Sequence, residues 1–115
     1  LIGGAMCFPF FASQEHSVGA SLCESAGVPA AAQAMVDAES SDCELLLPVD
    51  LVIADRFAAD ASSRVIDGVD VPDGWMGLDV GPATAELYAA RIASAGVTFS
   101  RKLPRTFDTI WCTCA

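Results

Sequence analysis

The acidic residues come first among the groups that could do chemistry. Asp50 and Asp55 flank the apolar run Leu51-Val52-Ile53-Ala54. Carboxylates at the ends of a strand can hold a hard divalent cation through oxygen. They equally close turns and cap helices, and the residue types here favour that plainer role. Asp79 stands near the start of an expected helix, where partial positive charge favours an acid. His16 is the only histidine, so it supports no Ser-His-Asp relay and reads as a loop residue. Cys112 and Cys114 form a C-x-C pair; a zinc site would need two further ligands at a workable spacing. Arg56, Arg64 and Arg91 are scattered, and none follows a glycine-rich phosphate loop. Phosphoryl transfer needs cations gathered at the transferring oxygens. No catalytic residue and no metal ligand is therefore assigned. The remaining candidates are backbone sites: Gly3-Gly4 behind Leu1-Ile2, and Gly77-Leu78 among crowded large apolar residues. Glycines there let backbone approach something closely.

Composition sets what must position these groups. The 115 residues give room for one small domain. A formal net charge of -9 argues against binding a nucleic-acid backbone or an anionic membrane surface. At 53% hydrophobic residues and a mean hydropathy of +0.46 the chain is far too apolar for an acidic disordered tail. The five cysteines are odd in number, unlike a secreted disulfide scaffold, and point to an intracellular, cytoplasmic setting. No apolar stretch reaches the roughly 18 residues that suggest a membrane span, and no basic leader precedes an apolar run.

The elements follow from period and punctuation. Leu1-Ile2 reads as the stub of a buried strand, then a glycine turn and a short helix over 6–14 with Phe8, Phe10 and Phe11 toward the core. Residues 28–40 are alanine-rich and carry apolar groups at helical spacing. Leu45-Leu46-Leu47 and residues 49–54 read as buried strands, and 64–67 as a short edge strand. Val71-Pro72-Asp73-Gly74 is a turn. Pro82 opens a helix over 82–95 that faces Leu87, Tyr88 and Ile92 inward, and Gly96 stops it before a strand at Val97-Thr98-Phe99. Trp75 and Met76 read as core.

Three blocks carry a resemblance. Leu1-Ile2-Gly3-Gly4-Ala5-Met6 with Val18-Gly19-Ala20-Ser21-Leu22 resembles one block of phosphoglycerate kinases. Residues 47–57, from Leu47-Pro48-Val49-Asp50 to Asp55-Arg56-Phe57, resemble the next. Residues 72–82, Pro72-Asp73-Gly74-Trp75-Met76-Gly77-Leu78-Asp79-Val80-Gly81-Pro82, resemble a third that is long and distinctive. Order and spacing also fit. The similarity covers about residues 1–95 and does not extend over 96–115. It divides the chain into a partial C-terminal nucleotide-binding domain, 1–99, and a tail, 100–115.

The resemblance implies a fold, a function and a site. The fold would be α/β, a Rossmann-like three-layer sandwich with a mostly parallel sheet, here truncated. The function would be part of a glycolytic phosphotransferase that moves a phosphoryl group between 1,3-bisphosphoglycerate and ADP, using ATP/ADP with Mg²⁺. Gly3 and Gly4 would lie against one face of the adenine, with Gly77 and Leu78 on the other side. Such a slot suits a planar base: one wall without side chains, the other apolar. The position after Gly4 is usually a further glycine in the family; here it is Ala5. The phosphoglycerate would be held only by the family's N-terminal domain, so 3-phosphoglycerate and 1,3-bisphosphoglycerate are not expected to bind these residues. The lysine-bearing glycine block, the late glycine-rich loop with its aspartate and the Asn-Gly-Pro block are not found here. The isolated chain is therefore expected to be inactive in phosphoryl transfer. The alternatives are a non-catalytic nucleotide-binding fragment and a structural remnant without its own function. Open strand edges and bared apolar faces also lead to an expectation of homo-oligomers in the isolated chain.

Overall fold

A computed structural model describes residues 1–102 and 109–114. The chain enters through extended Leu1-Ile2-Gly3 and a 3₁₀ turn, Gly4–Met6, that runs into α1, Cys7–Ser13. Gly4 takes φ +61° to make that junction, a conformation open to glycine at little cost. A second 3₁₀ turn, Ser25–Gly27, leads into α2, Val28–Glu39. Then come β1 (Leu51–Ala54), β2 (Ser63–Ile66), β3 (Met76–Val80), α3 (Pro82–Ser94), β4 (Val97–Lys102) and β5 (Thr109–Cys114).

The sheet corrects the expectation from sequence. It is three-stranded, in the order β2-β1-β3, and both pairings are antiparallel. The expected mostly parallel sheet is not what these strands form. Residues 55–62, which join the paired β1 and β2, are too short for the crossover of about a dozen residues that a parallel pair needs. Burial on both faces, which suggested a parallel strand, has another source. β1 is the middle strand, and Leu51, Ile53 and Ala54 are all buried. Leu45-Leu46-Leu47, expected as a strand, is an extended segment outside the sheet; the Leu46 carbonyl accepts from the Ile2 amide at 2.9 Å. Residues 76–80, read as crowded backbone, form a strand instead. β4 and β5 make a separate antiparallel pair, Val97 opposite Cys114 through Lys102 opposite Thr109. The tail residues 103–108 and 115 lie outside the described residues.

The core gathers Ile2, Cys7, Phe8, Phe10, Phe11, Ala31, Leu51, Ile53 and Val71. Phe8 and Phe11 are fully buried and meet edge to face, centroids 6.4 Å apart. Burying each such ring is worth about 2–3 kcal/mol, so α1 is the main apolar anchor of the fold. The helix expected over 82–95 is seen as α3, with Tyr88 buried and Leu87 and Ile92 half-buried. Its Tyr88 hydroxyl donates to the Ile2 carbonyl at 2.6 Å and lies 3.1 Å from that of Leu46. Burial and the nearby Cys7 push this phenol's pKa well above its ordinary value, against the pull of the Ile2 bond. Tyr88 thus ties α3 to the entry strand and to the segment before β1.

Candidate functional site

The N-terminus of α3 is built around a buried carboxylate. Asp50, 4% exposed, sits just before β1. Its oxygens accept from the amides of Ala83 at 2.9 Å and Thr84 at 2.8 Å, and from the Thr84 hydroxyl. The fully buried Thr84 hydroxyl oxygen accepts in turn from the Val49 amide at 2.9 Å. Gly81 makes this possible: a Cβ there would fall 2.2 Å from an Asp50 oxygen. Burial alone would raise the Asp50 pKa, but the bonds from Thr84 and Ala83 outweigh it and hold the carboxyl below its ordinary value. Every carboxylate oxygen is occupied in capping, so Asp50 has the plainer of its two expected roles.

The other two acids singled out from the sequence, Asp55 and Asp79, bind locally. Asp55 accepts from the Ser62 amide at 3.0 Å and pairs with Arg56 at 3.1 Å, which also reaches Asp60 at 3.0 Å. This cluster closes the β1–β2 loop. Asp79, expected near the helix start, points elsewhere: it is exposed and accepts from its neighbour Val80, while Asp50 caps the helix. His16 lies in a loop, 3.1 Å from Asp70. Among the described residues no cluster of His, Cys, Asp and Glu could hold a metal ion. The Mg²⁺ implied by the resemblance thus finds no ligand set among them.

The elements that carry the glycine sites are neighbours. The Gly4–Met6 turn packs against β3, which carries Gly77 and Leu78. Gly3 is buried in extended backbone with φ -149°. Gly77 lies flush on the core: an added Cβ would meet the Phe8 ring at 2.3 Å. Its missing side chain therefore accommodates Phe8. Leu78 sits in a bulge. Ile53 faces Gly77 and Val52 faces Asp79, so Leu78 is the extra residue with no partner across the ladder. A bulge twists the strand and re-aims the side chain it carries. Leu78 remains half-buried.

Residues 17–21, which overlap the first resembling block, hold this strand. They run beside 70–77. The Val71 amide donates to the Ser17 carbonyl at 2.8 Å, Val18 and Val71 form a parallel bridge, and the Ala20 amide donates to the Trp75 carbonyl at 2.8 Å. The Gly77 amide donates to the Ser21 hydroxyl oxygen at 2.8 Å. Gly19 makes the approach at φ +54°; a Cβ would fall 2.5 Å from the Trp75 carbonyl oxygen. Trp75 is half-buried with the Arg64 guanidinium 4.4 Å above its ring. Ser21, Phe8 and Gly81 carry no chemical signal of their own. Ser21 and Gly81 were marked only by the resembling blocks that contain them, and Phe8 only as a core residue.

Comparison with known proteins places this arrangement. The family model described as phosphoglycerate kinase matches residues 1–102, somewhat past residue 95. A phosphoglycerate kinase of Frankia casuarinae is 46% identical over 99 residues, covering 86% of this chain and 24% of that protein. One from Chloroflexus aurantiacus is 50% identical over 95 residues, 83% of this chain and 24% of that protein. The solved structure of phosphoglycerate kinase from Coxiella burnetii superposes with a TM-score of 0.78 at 37% identity, over 83% of this chain and 24% of that one. The chain spans about a quarter of the length of the curated relatives it matches.

Proposed function

Since the chain belongs to the phosphoglycerate kinase family, we propose that it is the adenine-holding part of a phosphotransferase acting between 1,3-bisphosphoglycerate and ADP. The observation that carries this is the packing of the Gly4–Met6 turn on β3, the strand bearing Gly77 and Leu78. In this reading Gly3 and Gly4 offer bare backbone to the base, and Leu78 offers its apolar side chain from the bulge. Gly77 contributes by letting β3 sit down on Phe8. Mg²⁺ would be held by residues outside these elements, since no group of acids among the described residues could hold it. The phosphoglycerate is likewise met elsewhere in such an enzyme, so this chain alone supports no turnover. A relative from Nicotiana tabacum is named as cytosolic, which fits a cytosolic setting for this chain too.

Calorimetry with ADP tests the reading. The unsubstituted chain should bind measurably and Leu78→Asp should not, because a carboxylate would be desolvated against the base. Equal affinity of the two forms would show that the slot is not used.

A further inference from the structure

We infer that Ser21 is a positioning residue for the nucleotide slot: through the Gly77 amide it fixes the bulge that aims Leu78. The inference rests on the adenine reading above and adds a residue that the chemistry of the blocks does not single out. β3 is an edge strand, with β1 as its one strand partner in the sheet. Its outward amides have no ladder of their own, and a bulge weakens the ladder further. The Gly77 amide, immediately before the bulged Leu78, is taken up by the Ser21 hydroxyl oxygen at 2.8 Å.

Ser21 is itself held on two sides. Its amide donates to the Val18 carbonyl at 3.0 Å, and the preceding Ala20 amide reaches Trp75 at 2.8 Å. The hydroxyl is thereby fixed at the level of Gly77. On the sheet face where a Gly77 side chain would project, the Phe8 ring lies so close that no side chain fits between them. β3 is thus held at one residue by a buried ring on its face and a hydroxyl at its edge, and the next residue is Leu78. Loss of the hydroxyl would free the bulge while leaving Phe8, the core and the rest of the 17–21 pairing in place.

The test compares the unsubstituted chain with Ser21→Ala and Ser21→Thr, well below the melting temperature of each. Amide hydrogen exchange at Gly77 and Leu78 is measured alongside calorimetry with ADP and with adenosine. Ser21→Ala should exchange faster at these two amides, keep its protection in α1 and β1, and bind both ligands about tenfold more weakly, as expected for one lost hydrogen bond. Ser21→Thr, which keeps the hydroxyl, should retain both properties. Unchanged exchange or unchanged affinity in Ser21→Ala would overturn the inference, as would a Ser21→Thr variant as weak as Ser21→Ala. Absence of ADP binding by the unsubstituted chain would overturn the adenine reading and this inference with it. Binding that Ser21→Ala leaves intact would overturn this inference alone.

Discussion

At Asp50 and at Ser21 a short side chain from one segment holds the backbone amides of another. The surroundings differ. Asp50 is buried, its oxygens take two amides and a hydroxyl at the start of α3, and Gly81 leaves no free space beside it. Ser21 is half-buried and takes one amide on the edge of β3, next to an unpaired Leu78. The first corner is closed, with all its polar capacity used inside the fold. The second carries Leu78 in a bulge of an edge strand that packs against the Gly4–Met6 turn. Stability should concentrate at the first and ligand binding at the second.

The largest expected effect is at the closed corner. Asp50→Ala should cost about 3 kcal/mol in urea unfolding, because the amides of Ala83 and Thr84 and the Thr84 hydroxyl lose their acceptor. Gly81→Ala should act in the same direction by driving the carboxylate away. The pH dependence follows from the lowered Asp50 pKa. Its contribution is complete above the unfolded value near 3.8 and is lost as pH falls through the lower folded value. Asp50→Ala should therefore show a shallower loss of stability below pH 3.8 than the unsubstituted chain. Equal acid limbs would place the stabilising charge elsewhere.

Gly77→Ala is next and sharpens the contrast. The new methyl group would press on the fully buried Phe8, at a cost of about 1–3 kcal/mol in the same unfolding measurement. It should also displace Leu78 and weaken ADP binding, an effect not expected of the capping variants at temperatures where they stay folded. A Gly77→Ala chain that loses stability but binds ADP normally would separate the strand's seating from the slot.

Tyr88→Phe should give the smallest change, about 1 kcal/mol, since the phenol bonds to the Ile2 and Leu46 carbonyls are lost but the ring remains. It should leave ADP affinity unchanged. A large affinity loss would mean that α3 and the entry strand set the position of Gly3 more strongly than packing on β3 does.

Which of these features could be read from residues alone follows from the range of the interactions. The bounds of α2 and α3 were legible from an alanine-rich run with apolar residues at helical spacing and, for α3, from the proline that opens it. β2 and the core role of Phe8, Phe10 and Phe11 were legible for similarly local reasons. The direction of the sheet was not, because a central antiparallel strand such as β1 has the same continuous apolar pattern as a parallel one. β3 was hidden by the glycines in and just after it, Gly77 and Gly81, whose value depends on Phe8 and Asp50, far away in sequence. Asp50 had the residue type of a cap, but nothing local said that it caps a helix starting at Pro82 while Asp79, much nearer, does not. Gly3, Gly4, Gly77 and Leu78 were legible only through the blocks that contain them. The bulge at Leu78 and its bond to Ser21 required the fold.

The most direct test of the central claim is residue-by-residue mapping of ADP on the isotopically labelled chain by NMR. The account predicts saturable shifts of the Gly3, Gly4, Gly77 and Leu78 amides, with Asp50, Ala83 and Thr84 unmoved. Saturable shifts at the α3 corner without any at Gly4 and Leu78, or no saturable shift anywhere, would contradict it.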